Sequence, residues 1–336
     1  MQPFTLERPR DLVALAALGA HSGRNDADAG PIAGGTDLLQ LLKENVRRPT
    51  RLVDLLAGVT VLDDRIEAGP DGSLRLGALA TMTDTADHPL VRDNFPVVSQ
   101  ALLASASQQV RNAATVAGNL LQRTRCPYFR DVGFAACNKR DPGSGCAALD
   151  GDNRGHAILG TSESCIATHA SDFAVALVAL DARLKIRGAG GERVLTLAGL
   201  HRLPGDTPHR EAELKAGEAI VAIEVPASAA ARRSHYLKVR DRATFEFALV
   251  SAAVGLDVEG GQIRDARIAM GGVGTKPWRF PAVEAALRGQ KADQASFRAA
   301  AAHATEGATP RGHNAFKLEL MKRTLVRALE TVGDQA

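Results

Sequence analysis

Four cysteines lie close together in the chain, and their thiols carry the most specific chemistry in the sequence. They fall within 40 of the 336 residues: Cys126, Cys137, Cys146 and Cys165. An iron–sulfur cluster usually takes four thiolates, and it is wide enough to accept them from a long loop. Two disulfides or a structural zinc are the alternatives, although zinc sites usually contain a C-x2-4-C pair, and the spacing here is C-x10-C-x8-C-x18-C.

The segment that carries the cysteines is basic and rich in turn residues. From Arg123 to Ser164 it shows neither the period of two of a strand nor the period of 3.6 of a helix. Loops of this length are uncommon in compact domains and are usually functional or disordered. Five basic side chains lie beside the thiols: Arg123, Arg125, Arg130, Lys139 and Arg140. Because a four-thiolate cluster is negatively charged, these neighbours favour a [4Fe-4S] cluster as the ligand of the loop.

Two turns of small residues have the chemistry to hold a phosphate. The first is Pro31–Leu38 (PIAGGTDL), and the second, about 80 residues later, is Thr115–Asn119 (TVAGN). Paired glycines allow close approach of the backbone, and a helix that starts behind them supplies free N–H groups. We expect Thr36 or Asp37 to cap such a helix. A single Gly-Gly turn usually has no role in ligand binding, but two turns of small residues can hold one pyrophosphate from both sides.

The surrounding pattern predicts the elements that position these residues. Residues 30–120 alternate between strands and helices, with one long helical pattern from about Asp84 to Ser105. A strand is predicted at 156–160, and an Asp-capped helix at 172–182. The last third places strands before helices, which is typical of an α+β domain of about 110 residues. Its predicted elements are strands near 234–241, 247–258 and 263–273, and helices around 281–288, 294–306 and 313–332.

Length and composition limit the class of protein. A chain of 336 residues suggests about two domains, and 45% hydrophobic with 24% charged residues is ordinary for a globular protein. A net charge of +3 and 4% aromatic residues do not predict nucleic-acid binding. The longest apolar stretches are too short for a membrane span, and the first residues lack the apolar core of a signal peptide.

Five segments in order carry a resemblance that covers nearly the whole chain: AGGTDLL, VRNAATVAGN, SDFAVALVALDA, AIVAIEVP and HYLKVRDRATFEFALVSAA. Together they resemble the FAD-binding medium subunits of the molybdenum hydroxylases, the xanthine dehydrogenase family. The cysteine insert departs from most of that family. It is similar to the insert of the flavin subunits of periplasmic aldehyde oxidoreductases, which holds a [4Fe-4S] cluster. The benzoyl-CoA-reductase branch also has a cluster-bearing insert, so the insert alone does not fix the substrate.

The resemblance implies a fold and two cofactors. The expected fold class is α+β, with a two-part FAD-binding domain of the vanillyl-alcohol-oxidase/PCMH type at 1–225. Within it, 123–165 would be an iron–sulfur insert loop. A C-terminal α+β domain, like that of the CO dehydrogenase flavoprotein, would span 226–336. The expected cofactors are FAD and a [4Fe-4S] cluster on the four cysteines.

The resemblance also implies which residues bind FAD. Around the pyrophosphate it places Pro31, Ile32, Ala33, Gly34, Gly35, Thr36, Asp37 and Leu38, and in the second turn Thr115, Val116, Ala117, Gly118 and Asn119. Asp172 would hydrogen-bond the cofactor, and Val221 or Ile220 with Lys238 would lie near the isoalloxazine. The family commonly has Gly-Gly where this chain has Ala117-Gly118, which adds a methyl group to the second turn. No catalytic residue is expected in this chain.

The function implied is electron transfer within a heterotrimeric, molybdenum-dependent aldehyde oxidoreductase. A [2Fe-2S] subunit and a molybdenum cofactor subunit would be the partners, and FAD would pass electrons to an external acceptor. Another molybdenum hydroxylase, of the xanthine or hydroxybenzoyl-CoA type, is one alternative. A stand-alone FAD reductase and a zinc-loop interaction protein are the others. Without its own signal peptide, the chain would reach the periplasm by co-export with a partner, or stay in the cytoplasm.

Overall fold

The computed structural model describes residues 1–19, 28–59 and 61–334. The strands are β1 (Thr5–Glu7), β2 (Ala29–Ile32), β3 (Arg51–Asp54), β4 (Ile66–Ala68), β5 (Leu74–Gly77), β6 (Arg183–Gly188), β7 (Gly191–Thr196), β8 (Ala219–Val225), β9 (Ser234–Val239), β10 (Val250–Glu259), β11 (Gln262–Gly271) and β12 (Trp278–Arg279). The helices are α1 (Leu12–Ala17), α2 (Leu38–Lys43), α3 (Met82–Asp87), α4 (Pro89–Asn94), α5 (Pro96–Leu103), α6 (Gln108–Ala113), α7 (Val116–Leu120), α8 (Pro127–Arg130), α9 (Asp172–Ala179), α10 (Ala229–Arg232), α11 (Pro281–Leu287), α12 (Gln294–Ala301) and α13 (Lys317–Gly333).

Three sheets organise the described residues. The first is parallel, with strand order β1-β3-β2, and it leads through β2 into the first small-residue turn and α2. The second is antiparallel, in the order β4-β5-β8-β6-β7, and the third is antiparallel, in the order β12-β11-β10-β9. Mixed strands and helices of this kind confirm the α+β class.

Helix α9 passes through the centre of the larger hydrophobic core. All eight of its residues, DFAVALVA, are buried, as expected for a helix that is apolar on every side. Strands β5, β6 and β8 and helices α3, α5 and α7 contribute to the same core. A second core lies between the β10–β11 hairpin and helices α11, α12 and α13. The chain therefore has one core around the two small-residue turns and another in its C-terminal third.

Proline divides the helical pattern predicted from Asp84 to Ser105. The structure has three helices there, because Pro89 and Pro96 each begin a new one. Proline lacks an N–H donor and disfavours helical geometry at the preceding residue, and His88 and Phe95 both leave the helical region. The prediction of one long helix was wrong for this reason.

Two other local predictions had different outcomes. The strand predicted at 156–160 is wrong: the stretch forms one isolated bridge, between Leu159 and Gly274, and Gly160 then turns the chain with a φ of +64°. The hairpin turn at Gly260-Gly261 is confirmed, since both glycines have positive φ between β10 and β11. Within the described residues, no helix is long and apolar enough to cross a membrane.

Candidate functional site

A cavity of about 580 Å³ lies between the two small-residue turns and a loop from the C-terminal third. This volume is in the range of cofactor and small-molecule sites. Most of the predicted FAD-binding residues line it: Pro31, Ile32, Ala33, Gly34, Gly35, Thr36, Asp37, Leu38, Thr115, Ala117, Gly118, Asn119, Asp172 and Lys238. The structure thus brings together segments that are up to about 200 residues apart in the sequence.

The first turn has unpaired backbone donors. Among the described residues, no protein acceptor receives the N–H groups of Gly34, Gly35 or Thr36. Gly35 has a φ of +70°, which residues with side chains rarely adopt. A Cβ atom on Gly34 would lie 1.7 Å from the carbonyl oxygen of Ala113, so a side chain there would prevent the close approach to the second turn. A backbone with three free donors suits an anionic group such as a pyrophosphate.

The second turn lines the same cavity but uses its donors internally. The hydroxyl of Thr115 caps α7 by accepting from the N–H of Gly118 at 3.2 Å. The N–H groups of Val116 and Ala117 donate to carbonyl oxygens of the segment that precedes α3. From Val116 to Asn119 the backbone N–H groups are thus satisfied within the protein, in contrast to those of the first turn.

The carboxylate of Asp37 points towards the cysteine insert. Asp37 occupies the N-cap position of α2, but its side chain makes no capping hydrogen bond, so the predicted cap is wrong. It accepts from the N–H of Arg123 at 2.8 Å and from the guanidinium of Arg130 at 2.7 Å, and Arg125 forms an ion pair with it at 2.8 Å. Burial raises the pKa of Asp37, but Arg125 and Arg130 outweigh this effect, so its pKa is below the ordinary value.

Asp172 holds a buried polar network at the cavity wall. The residue that caps α9 is Ser171, whose hydroxyl accepts from the N–H of Ala174, so the expected Asp cap is corrected. The carboxylate of Asp172 instead accepts from Lys238 Nζ at 2.7 Å and from the hydroxyl of Tyr236 at 2.7 Å. Burial, together with the nearby Asp172 carboxylate, raises the pKa of Tyr236 well above its ordinary value.

Sequence reasoning missed two partners of Asp172. Besides Tyr236, the hydroxyl of Ser105 donates to Asp172 at 2.9 Å. Tyr236 could have been found, because it precedes Lys238 by two residues on β9 and side chains two apart share one face of a strand. Nothing in the local pattern around Ser105 indicates its contact across 67 residues.

Two predicted residues do not line the cavity. Val116 is fully buried in the core beneath the second turn. Val221 is buried at a shift in register between β6 and β8, where Lys185 pairs with Ala222 and Ile186 pairs with Ile220. Because this bulge leaves Val221 without a partner on β6, the neighbouring Ile220 reaches the cavity instead.

A loop that follows β9 forms the mouth of the cavity, a role that sequence analysis did not assign to it. Arg242, Phe245, Glu246 and Phe247 line the cavity there. Phe245 and Phe247 are 57% and 44% exposed. The guanidinium of Arg125 lies 5.1 Å from the ring centre of Phe247, within cation–π distance. The loop and the cysteine insert therefore meet at the mouth.

The four cysteines have free thiols in one region of the insert. Cys126, Cys137 and Cys165 are buried and contact a small apolar cluster that includes Phe129. Cys146 is half-buried and faces Cys137 across an antiparallel bridge. Within residues 1–19, 28–59 and 61–334, no three His, Cys, Asp or Glu side chains form a group that could hold a metal ion.

Specific hydrogen bonds shape the backbone around these thiols. The guanidinium of Arg140 donates to the carbonyl oxygens of Tyr128 and Phe129 at 2.7 and 3.1 Å. The side-chain oxygen of Asn138 accepts from the N–H groups of Gly143 and Gly145, which both have positive φ. A turn held in this way brings the two sides of the 137–146 segment together. The insert is thus ordered by side-chain contacts rather than by regular secondary structure.

The charges around the thiols are positive. Arg123 is 3% exposed and Lys139 is 8% exposed, and both pair with Glu211 from outside the insert. Burial raises the pKa of the Cys126 thiol to about 12. The neighbouring thiols Cys137 and Cys165 add to that rise, so the cysteines are close enough to interact although they form no group for a single ion. A four-iron cluster takes more widely spaced thiolates than a single ion does, and its negative charge matches the buried cations. The free N–H groups of the first turn suit the pyrophosphate of FAD.

Comparison with protein families gives two matches that cover most of the chain. A family model described as the FAD binding domain in molybdopterin dehydrogenase matches residues 2–228. A second, described as the CO dehydrogenase flavoprotein C-terminal domain, matches residues 235–332. The first of these alone covers more than half of the sequence.

Individual proteins agree with these matches. The aldehyde oxidoreductase FAD-binding subunit PaoB of Escherichia coli (strain K12) is 48% identical over 339 residues, with 100% of both chains covered. The glyceraldehyde dehydrogenase medium chain of Sulfolobus acidocaldarius is 25% identical over 309 residues, with 90% of both covered. Among solved structures, quinoline 2-oxidoreductase from Pseudomonas putida 86 has a chain with a TM-score of 0.74 and 26% identity, and the match covers 100% of this chain and 98% of that one.

Proposed function

This chain belongs to the FAD-binding subunits of the molybdenum hydroxylases, and from that premise we propose that it serves a complex that oxidises aldehydes. We infer the substrate class from the 48% identity to a FAD-binding subunit of an aldehyde oxidoreductase, which extends over the full length of both chains. The chain itself is a flavoprotein component of an oxidoreductase. We infer that the aldehyde reacts on a partner, because the relatives of this chain include a FAD-binding subunit and a medium chain of larger enzymes.

The free donors of the first turn give FAD an orientation in the cavity. The N–H groups of Gly34, Gly35 and Thr36 would hold the pyrophosphate, and the Thr115–Asn119 turn would contact it from the other side. When bound, FAD supplies the storage of two electrons and their delivery to an acceptor.

Ile220, Asp172 and Lys238 line the same cavity and would lie near the isoalloxazine. The ammonium of Lys238 is held by Asp172 and by the carbonyl oxygen of Ala104 at 3.1 Å, so it is fixed before the cofactor arrives. A fixed cation at this wall would orient a polar edge of the ring. Phe247 from the mouth loop supplies apolar surface that excludes water.

The insert would hold one [4Fe-4S] cluster through Cys126, Cys137, Cys146 and Cys165. Support comes from the four free thiols and from the buried cations of Arg123 and Lys139. Binding of the cluster would offset the cost of burying these cations.

The partners would be a [2Fe-2S] subunit and a subunit with the molybdenum cofactor. A flavin subunit needs an electron source, and the chain's relatives include subunits and chains of larger enzymes. If a partner carries an export signal, this chain would be exported with it to the periplasm.

Flavin reduction in the purified complex tests the substrate class. Under anaerobic conditions, an aldehyde should bleach the flavin absorbance of the complex that contains this chain, whereas xanthine should not. Bleaching by xanthine and not by aldehydes would assign the complex to the xanthine type. The same measurement on the full chain purified alone should give no bleaching with aldehyde, and a rapid reaction there would favour a stand-alone reductase.

A further inference from the structure

His156 contacts one of the four thiols directly. Its ring Nε2 lies 3.2 Å from Sγ of Cys126, and the two residues are only 4% and 9% exposed. The sulfur of Cys165, in contrast, accepts from a backbone N–H, that of Ala167, at 3.5 Å. His156 therefore brings a side-chain nitrogen to a sulfur inside the apolar region of the insert.

The backbone of His156 is fixed from both sides. Its N–H donates to the carbonyl oxygen of Asn153 at 2.9 Å. Its own carbonyl oxygen accepts from Lys317 Nζ at 2.9 Å, and Lys317 is fully buried at the start of α13. Because these bonds come from inside and outside the insert, the imidazole position does not depend on the cysteine loop alone.

The hydrogen-bonding environment selects one tautomer. A neutral imidazole carries one ring proton, and a thiolate at Cys126 has none to donate. The 3.2 Å contact with Sγ is therefore a hydrogen bond when the proton lies on Nε2. The Nε2–H group then points at the sulfur of Cys126, which accepts more strongly as a thiolate than as a thiol.

We propose that His156 is a positioning residue for the iron–sulfur cluster, which donates Nε2–H to the Cys126 thiolate and raises the reduction potential of the cluster. This inference rests on the proposed function, because it requires the cluster. Hydrogen bonds to ligand sulfurs offset negative charge, and the one-electron reduced cluster carries one more negative charge than the oxidised cluster. The bond therefore stabilises the reduced form more than the oxidised form.

The test compares two substitutions of His156 in the full chain. His156→Leu removes the donor and keeps an apolar side chain, whereas His156→Gln keeps an N–H donor. His303→Leu, at an exposed histidine outside the insert, is the matched control. Iron per chain is measured first, and the reduction potential is then measured by redox titration followed by EPR.

We expect His156→Leu to keep its iron and to show a lower potential than the wild type. His156→Gln should show a smaller decrease, and the control should show none. An unchanged potential in His156→Leu with full iron content would overturn the inference while leaving the cluster in place. Loss of iron from both His156 variants would also overturn it, because His156 would then be a ligand. Wild-type protein without iron would instead refute the proposed cluster itself. If His156→Leu does not fold, the reduction potential of His156→Gln is the test: a lower potential than the wild type supports the proposal, and an unchanged potential overturns it.

Discussion

The carboxylate of Asp37 accepts a hydrogen bond from the guanidinium of Arg130 at 2.7 Å, although the two residues are 93 positions apart. Asp37 belongs to the cavity-lining first turn, and Arg130 belongs to the cysteine insert. A carboxylate that pointed into the cavity would repel a pyrophosphate. Instead, the arginines of the insert bind the Asp37 carboxylate and compensate its negative charge. The Asp37 carboxylate is thus a direct link between the first turn and the insert.

Replacement of Asp37 should loosen both regions. Asp37→Asn removes the negative charge that pairs with the guanidinium groups of Arg125 and Arg130, and breaking a buried ion pair by removing one partner costs about 3 kcal/mol. We expect this loss in the free energy of unfolding measured with urea, together with weaker FAD retention. Glu44→Gln, on the exposed end of α2, is the control and should leave both unchanged. Equal stability of the two variants would contradict the assigned role.

The same variant has a defined pH dependence. The pKa of Asp37 is lowered in the folded state, so the carboxylate contributes stability above the ordinary pKa of 3.8, and this stability is lost as the pH falls through the folded pKa. The stability difference between wild type and Asp37→Asn should therefore be constant from pH 7 to pH 5 and should shrink below about pH 3.8. A stability difference between wild type and Asp37→Asn that grows as the pH falls would contradict a lowered pKa of Asp37 in the folded state.

Gly35→Asp should remove FAD without unfolding the chain. The new carboxylate would lie on the turn with the free N–H donors, where it would oppose a pyrophosphate by charge and by volume. Gly72→Asp is the matched control, because Gly72 also has a positive φ, of +78°, but lies outside the cavity. We expect full flavin absorbance in the control and little in Gly35→Asp. Stoichiometric flavin in Gly35→Asp would exclude this turn as the pyrophosphate site.

Tyr236→Phe tests the buried network on Asp172. The substitution deletes the hydroxyl that donates to Asp172 and also contacts Ser251 at 2.8 Å. Hydrogen bonds to charged groups contribute about 1.5–3 kcal/mol, so we expect a loss of about 2 kcal/mol in unfolding free energy. The chain's other tyrosine provides the control, Tyr128→Phe, whose hydroxyl bonds an exposed carbonyl oxygen at 3.2 Å. Thermal unfolding that ranks the two variants in the opposite order would argue against the network.

Lys317→Met tests how the C-terminal third holds the insert. Lys317 Nζ donates to the carbonyl oxygens of Gly155, His156 and Gly272, and a methionine leaves all three without this donor inside the protein. We expect a loss of about 3 kcal/mol in unfolding free energy and faster hydrogen exchange around His156. Lys322→Met, on the same helix, should change neither. Exchange at His156 equal to wild type would mean that α13 does not support the insert.

Local features of the fold could be predicted from the sequence. The Gly34-Gly35 turn, the Gly260-Gly261 hairpin and the apolar helix α9 each depend on residues next to one another in the chain. The prolines at 89 and 96 indicate three helices. The spacing of apolar residues continues across both prolines, and for this reason one long helix was predicted instead. Ordered motifs along the chain were sufficient to identify the family.

The directions of side chains at the site were not predictable in the same way. The sequence places Asp37 on the turn but does not reveal that its partners are arginines of the insert. Ser105 meets Asp172 only after folding, and the bulge that brings Ile220 rather than Val221 to the cavity depends on the register of β6. These contacts join distant segments, so they follow from packing rather than from local preference.

Iron and flavin analysis of the purified full chain tests the central claim most directly. We expect one FAD and four iron atoms per chain, with an EPR signal on reduction. Ser in place of Cys126, Cys137, Cys146 or Cys165 should weaken or abolish that signal. These variants should lose less of their FAD than of their iron. Four single variants against wild type identify each ligand separately. Chain that contains FAD without iron, or a cysteine variant with an unchanged cluster signal, would contradict the assignment of the insert.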